Sequence, residues 1–254
     1  MKSTIVVFLG PAGSGKSSLT AAFGRWLEEY MSYKVAYVNL DPGCDYVPYD
    51  PDYDIRKLVT VDEVMRRENL GPNGAVVRCM EIMLERAEGI VKEIGSLGAE
   101  YILVDTPGQM EPFAFRRTGP VILDMLRNIG PVIGVFIVDP ELASSAPDLV
   151  VVYLLGVVIQ IRLGVPTVIV VNKVDLVRDV EELDIMLTNI EYLKRAVESS
   201  GAGAIIDLAD MCSDVIMKLA QAARVVKVSA RTGYGMELLY DIIHEVFCTC
   251  GDLT

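Results

Sequence analysis

An α/β fold, with a mostly parallel sheet covered by helices on both faces, is what this sequence predicts, and three observations carry the expectation. Short apolar runs rich in β-branched residues occur at 4–9, 35–40, 101–104, 132–138, 167–171 and 225–228. Helix-length segments near 15–30, 75–97, 113–129, 147–163 and 235–248 alternate with them. Strands that are apolar on both faces and separated by helices belong to a parallel sheet buried on both sides. No linker or repeat divides the 254 residues, so the chain reads as one domain, 1–254, large enough to bury a sizeable core.

Two stretches depart from this rhythm and read as insertions, at about 41–75 and 178–224. The second contains the helical segments "LDIMLTNIEYLKRAVESS" and "AIIDLADMCSDVIMKLAQAA". Both insertions connect strand ends to later core elements, where lids and interfaces are built. The first ends in "RRENLGPNGAVVR", where a helix-like run reaches Leu70 and a second apolar-periodic run begins at Ala75. Between them Gly71-Pro72-Asn73-Gly74 is ordinary turn chemistry.

Composition narrows the function classes. Hydrophobic residues make up 52% and charged residues 23%, which suits a globular chain and argues against long disorder. A net charge of −12 spread along the chain disfavours a nucleic-acid-coating surface, so no direct nucleic-acid contact is expected. Cys44, Cys79, Cys212, Cys248 and Cys250 form an odd set without a CxxC pair, which fits reduced thiols in the cytoplasm better than disulfides. Cys248 and Cys250 alone are too few for a zinc site. The run "LVVVYLLGVVIQIRLG" is broken by Gln160 and Arg162 and reads as a buried helix on the sheet, with no membrane association expected. "MKSTIVVFLG" leads straight into a loop with chemistry in it and is not read as a targeting segment.

Four motifs carry that chemistry. "GPAGSGKSS" fits G-x-x-x-x-G-K-[ST] between an apolar run and a helix. Gly10, Gly13, Ser14 and Gly15 let backbone N–H groups approach phosphate oxygens. Lys16 reaches the β- and γ-phosphates, Ser17 offers a hydroxyl to Mg²⁺, and Ser18 continues the loop into the helix. "YILVDTPGQ" ends a strand with Asp105, which can hold the Mg²⁺ shell through water; the Gly108 N–H can sense a γ-phosphate and Gln109 can orient water. In "VIVVNKVDL", Asp175 can accept hydrogen bonds from guanine N1–H and the 2-amino group, the Lys173 stem can cover the base, and Asn172 can tie neighbouring loops. "VVKVSARTG" brings Ser229 and an Ala230 N–H that can meet guanine O6. In this order and spacing the four specify GTP. The single histidine, His244, falls in the last helix and reads as structural.

With these residues in hand the chain resembles the GPN-loop GTPases, a dimeric branch of the P-loop GTPases in the signal-recognition and MinD-like group. The motifs "GPAGSGKSS", "NLDPGCDYVPYDPDYDIR", "GPNGA", "DTPGQMEPF", "NKVD" and "SARTG" occur in the family's order across nearly the whole chain, which looks like one of the compact archaeal-type members. The resemblance implies a P-loop NTPase three-layer fold and a homodimer hydrolysing GTP to GDP with Mg²⁺. It implies that Gly71 and Pro72 fix a turn from which Asn73 reaches the partner's γ-phosphate. It also places Asp41, at the end of the second strand, near Mg²⁺ or the attacking water, so that Asp41, Asp105 and Gln109 share the water-handling role with Glu111 as a fourth member. A neutral amide in place of an arginine finger implies slow turnover. Eukaryotic relatives are implicated in RNA polymerase assembly, so polymerase subunits or assembly factors are the partners that analogy suggests.

Two other readings stand beside this one. A P-loop kinase acting on a small molecule or polynucleotide end shares the Gly-rich loop but prefers ATP and carries arginine-rich lids, against which N-K-x-D argues. A nonhydrolysing GTP-binding scaffold would release no phosphate.

Overall fold

The computed structural model describes residues 3–177, 180–199 and 225–251. Its strands are β1 (Thr4–Leu9), β2 (Val35–Asn39), β3 (Tyr53–Asp54), β4 (Tyr101–Asp105), β5 (Val132–Val138), β6 (Thr167–Val171) and β7 (Val225–Lys227). Its α-helices are α1 (Lys16–Met31), α2 (Val61–Glu68), α3 (Pro72–Glu85), α4 (Ala87–Gly95), α5 (Met110–Ala114), α6 (Thr118–Leu126), α7 (Ala146–Leu163), α8 (Val180–Thr188), α9 (Ile190–Ser199) and α10 (Met236–Gly251). All seven strands are parallel, in the order β3-β2-β4-β1-β5-β6-β7.

The continuous apolar strands behave as a two-faced sheet requires. Along β1, Ile5, Val7 and Leu9 enter one core, while Val6 and Phe8 enter the other. The second core is completed by Leu19, Phe23 and Leu27 of α1 with Met236, Leu239 and Ile243 of α10. The first is completed by helices α2 to α9, among them Val64, Met80, Ile94, Ile122, Leu149 and Ile159. The result is a sheet between two helical layers. Register then positions the chemistry: Phe8 pairs with Asp105 across β1 and β4, so the loops leaving both strands start side by side.

Four features differ from the sequence expectation. First, β3 pairs with β2 through Val38–Tyr53 and Asn39–Asp54, so the 41–75 stretch contributes an edge strand. Two residues are too few to show a period. Second, Gly71-Pro72-Asn73-Gly74 is the beginning of α3: Gly71 is its extended N-cap and Pro72 its first residue. Proline suits that position because its φ is already helical and its missing N–H would have had no partner in the first turn. The chain reverses one step earlier, at Asn69, which is left-handed at φ 51°. Third, the helices expected at 75–97 and 113–129 are each two helices. Arg86, at φ −106° and ψ 9°, separates α3 from α4. Pro120 lies in the first turn of α6, where an uninterrupted helix would drive its ring against a carbonyl. Fourth, β2 ends at Asn39, so Asp41 stands in the loop beyond the strand.

α7 lies on the sheet as a core helix, and Gly156 makes the approach close: a Cβ there would sit 2.5 Å from Ile169 Cδ1. Of the 178–224 stretch, α8 and α9 are described, whereas the helical segment expected at 204–223 lies outside the described residues.

A capping box sets the start of α2, and so the approach to Gly71. The Thr60 hydroxyl accepts from the Glu63 N–H, and the Glu63 carboxylate accepts from the Thr60 N–H. Thr60→Ala is expected to lower unfolding free energy by about 1 kcal/mol in denaturant titration, and a change near zero would show that packing alone fixes this end.

Candidate functional site

Loops at the carboxyl ends of β1, β4, β6 and β7 meet at one end of the sheet, where open parallel sheets bind ligands. The loop after β1 cannot carry side chains at two places. A Cβ on Gly10 would lie 2.2 Å from the Ile137 carbonyl oxygen, and one on Gly15, at φ +90°, would lie 2.5 Å from Asn172 Nδ2. Gly13 is also left-handed, and Ser14 is buried with its hydroxyl lacking a protein partner. Gly15 caps α1, whose first residues are Lys16, Ser17 and Ser18. The buried Lys16 ammonium donates to the carbonyls of Gly10 (2.8 Å), Pro11 (3.0 Å) and Gly108 (3.2 Å), joining the loops after β1 and β4. Burial pushes its pKa below the ordinary lysine value, against the opposing charges of Asp105, Asp41 and Glu111.

Asp105 is 1% exposed. Its Oδ2 accepts from the Tyr49 phenol at 2.9 Å, while Oδ1 has no protein partner. Burial pushes this carboxyl up to about 6; Ser17, Tyr49 and Lys16 favour its ionised form, and the neighbouring charge of Asp41 disfavours it. Asp41 is held by two backbone donors, the Gly43 N–H on Oδ1 and the Gly108 N–H on Oδ2, both at 2.8 Å. The N–H expected to face a γ-phosphate is therefore engaged by Asp41. Gln109 is exposed just before α5, and Glu111 is exposed in its first turn.

These residues fit Mg²⁺. One oxygen of the buried Asp105 carboxylate has no protein partner, and the Ser17 hydroxyl is among the groups that favour its ionised form. Among the described residues no group of three or more His, Cys, Asp or Glu forms a protein cage. Sparse protein ligation of that kind, completed by phosphate oxygens and water, is what Mg²⁺ adopts with nucleotides.

The opposite end of the site centres on Asn172, 1% exposed. Its Nδ2 donates to the Ser14 carbonyl (3.0 Å) and its Oδ1 accepts from the Ala230 N–H (3.1 Å), linking three loops. Ala230 N–H thus meets Asn172, where the sequence reading directs it to guanine O6. Lys173, left-handed at φ 60°, donates to the Gly13 carbonyl (2.7 Å) and to Asp139 Oδ2 (2.5 Å). The buried Ser229 hydroxyl donates to Asp175 Oδ1 at 2.6 Å and accepts from the Thr232 N–H, which fixes the exposed carboxylate. Gly15, Ser18, Asn172, Lys173, Asp175 and Ala230 line a cavity of about 480 Å³. A larger cavity of about 650 Å³, beside β3, α3, α4 and α6, contains none of these loops.

Gly71, Pro72 and Asn73 are exposed at the start of α3, and no hydrogen bond among the described residues joins Asn73 to the loops above. Sequence reasoning missed Tyr49, Asp139 and Arg56. Arg56 grips Asp54 (Nη2–Oδ2 2.6 Å) and donates to the Cys44 and Asp45 carbonyls (3.2 Å each), fastening the loop that carries Tyr49. Both Tyr49 and Arg56 lie in the quoted "DYVPYDPDYDIR", but no spacing rule pairs a tyrosine with an aspartate 56 residues away.

Sheet, loop and buried lysine define a P-loop nucleotide-binding protein. A family described as "Conserved hypothetical ATP binding protein" matches residues 8–249. The chain is 40% identical over 254 residues to GPN-loop GTPase PAB0955 of Pyrococcus abyssi, covering 98% of this chain and all of that one. It is 34% identical over 179 residues to GPN-loop GTPase 3 of Dictyostelium discoideum, where the match spans 70% of this chain but 62% of the relative. The crystal structure of the Pyrococcus abyssi GTPase in apo form superposes with a TM-score of 0.87 and 38% identity over 97% of this chain and 98% of that one. The chain belongs to the GPN-loop GTPase family.

Asp105 gives the site a pH signature. Its folded pKa, about 6, lies above the ordinary aspartate value of 3.8, so ionisation costs more in the folded state. In nucleotide-free buffer with a chelator, stability should fall as pH rises from about 4 to 6 and then level off. Asp105→Asn removes that loss and should gain up to about 3 kcal/mol at pH 7.5 while abolishing stabilisation by Mg²⁺ with nucleotide. Identical melting profiles for the two proteins would refute the buried-charge account.

Proposed function

We propose that the chain hydrolyses GTP to GDP and phosphate with Mg²⁺, acts as a homodimer, and uses the difference between its GTP and GDP forms as an assembly switch. The observation that carries the nucleotide reading is the Asn172 junction: it sets the phosphate loop and the Ser229-oriented Asp175 carboxylate on one cavity. A carboxylate there accepts from guanine N1–H and N2–H; adenine offers neither donor. The family description speaks of ATP, so base choice is the point to test.

In this reading the N–H groups of residues 13–18 and Lys16 would hold the β- and γ-phosphates, and Ser17, Asp105 and Asp41 are the residues that would hold Mg²⁺. Held there, the cation would supply positive charge against the negative charge that develops in phosphoryl transfer. A γ-phosphate oxygen reaching the Gly108 N–H would take the place of Asp41 Oδ2. That exchange frees the Asp41 carboxylate to orient water together with Gln109 and Glu111, and it moves the loop after β4. Asn73, exposed and without a side-chain hydrogen bond among the described residues, would donate its amide to the partner's transferring phosphoryl group. The switch would act on a protein client, for which polymerase subunits or assembly factors are the family-based candidates. We place the protein in the cytoplasm, which suits the free thiols of Cys44 and Cys79.

Two measurements test this. Asp175→Asn should weaken GTP binding about 100-fold, the loss of two charge-assisted hydrogen bonds, and improve binding of xanthosine triphosphate, whose 2-oxo group accepts from the new amide. Unchanged GTP affinity, or a wild-type preference for ATP, would remove the guanine reading. Asn73→Ala should leave GTP affinity near wild type and lower kcat roughly 100-fold, as loss of a transition-state donor does. Weaker binding with unchanged kcat would assign Asn73 to ground-state contacts instead.

A further inference from the structure

The buried carboxylate of Asp105 is anchored from outside the four motifs. Tyr49 lies in the stretch between β2 and β3, and its phenol donates to Asp105 Oδ2 at 2.9 Å. A phenol keeps its proton at neutral pH, so toward a carboxylate it acts as the donor. Asp105 Oδ1 is buried without a protein partner. One oxygen is therefore fixed and the other left open, the arrangement of a metal-holding carboxylate that a neighbour keeps in place.

Tyr49 itself has little freedom. Its ring stacks on that of Tyr37, with centroids 5.3 Å apart and planes 19° apart. The Tyr37 hydroxyl donates to Glu28 of α1 at 3.2 Å, and a Cβ on Gly24 of the same helix would lie 2.3 Å from that oxygen, so a glycine makes the room. On the C-terminal side of Tyr49, the Asp52 N–H donates to the Tyr37 carbonyl and the Tyr37 N–H donates to Asp52 Oδ2, both at 2.8 Å. On the N-terminal side, Arg56 holds the Cys44 and Asp45 carbonyls at 3.2 Å each. Stack and ties together put the hydroxyl at one place.

A purely structural role explains only part of this. Phenylalanine would supply the stacking, which leaves the hydroxyl the task of offsetting a buried charge. That task is served best when both carboxylate oxygens have partners, and Oδ1 has none. We infer that Tyr49 is a positioning residue for the metal: its hydroxyl holds Asp105 Oδ2 so that Oδ1 stays aimed at the cation or its water shell. The inference rests on the Mg²⁺ reading proposed above and adds the residue that aims the carboxylate.

The test compares metal binding by the full-length protein loaded with GDP, with Mn²⁺ as the probe so that free ion can be read by electron paramagnetic resonance. Tyr49→Phe keeps the ring on Tyr37 and loses only the hydroxyl. It should raise the Kd for Mn²⁺ about tenfold, the cost of removing an outer partner of a metal-holding group, while GDP affinity in chelator stays within about twofold of wild type. Tyr37→Phe loses a hydroxyl one ring farther from the site and should keep the wild-type Kd. Unchanged or tighter Mn²⁺ binding in Tyr49→Phe overturns the positioning role and leaves the Mg²⁺ reading standing. An equal loss in Tyr37→Phe overturns it as well, by assigning the effect to the packing of the two rings. Wild type loaded with GDP that takes up no more Mn²⁺ than GDP alone overturns both readings. A crystal structure of the wild type with Mg²⁺ and GDP decides the point without any variant: the Tyr49 hydroxyl should remain on Oδ2, and a phenol turned away from the carboxylate overturns the inference.

Discussion

One buried amide holds the site in register. Asn172 donates to the Ser14 carbonyl and accepts from the Ala230 N–H, so the loops after β1, β6 and β7 are fixed relative to one another by a single side chain. Its Nδ2 also occupies the space a Cβ on Gly15 would need, which couples the glycine pattern of the phosphate loop to the asparagine of a distant motif. A buried amide pays desolvation unless it is satisfied at both ends, so the arrangement tolerates little drift. The distance between the phosphate loop and the Asp175 carboxylate is set by this contact, which makes Asn172 a part of the recognition machinery without its touching a base.

On the other side of the site the contacts are of a different kind. Asp41 and Lys16 both engage Gly108, one through its N–H and the other through its carbonyl, and Tyr49 engages Asp105. Each of these partners is also a group that phosphate or metal chemistry would recruit. The Asn172 bonds at the base end join backbone groups of three loops to one another. In the reading proposed above, the bonds at Gly108 at the phosphate end are ones that a bound phosphate would exchange. Such a division suits a molecule whose nucleotide contacts change its loops while its base pocket stays put.

Much of this was legible in the sequence because it is local. Six of the seven strands show as apolar runs, and the glycines, Lys16 and Asn172 stand in words whose spacing follows from strand, loop and helix geometry. What was not legible is either too short or too distant. β3 has two residues, and the breaks at Arg86 and before Pro120 interrupt patterns that remain apolar on both sides. The reading of Gly71 to Gly74 as a turn failed for an instructive reason: proline and glycine punctuate turns, but the same pair also begins helices. Tyr49–Asp105 and Asp41–Gly108 join residues far apart in sequence, and only the shared sheet edge brings them together.

The start of α3 at Pro72 changes what Asn73 carries with it. A residue in a turn presents only its side chain, whereas a residue in the first turn of a 14-residue helix also presents that helix's unpaired N–H groups. Their aligned peptide dipoles amount to roughly half a positive charge at the tip. Wherever this tip docks against an anion, the amide arrives with a diffuse cation behind it. A backbone can in this way supply part of the electrostatic work usually left to a guanidinium, without a charged side chain to desolvate on the exposed surface between encounters.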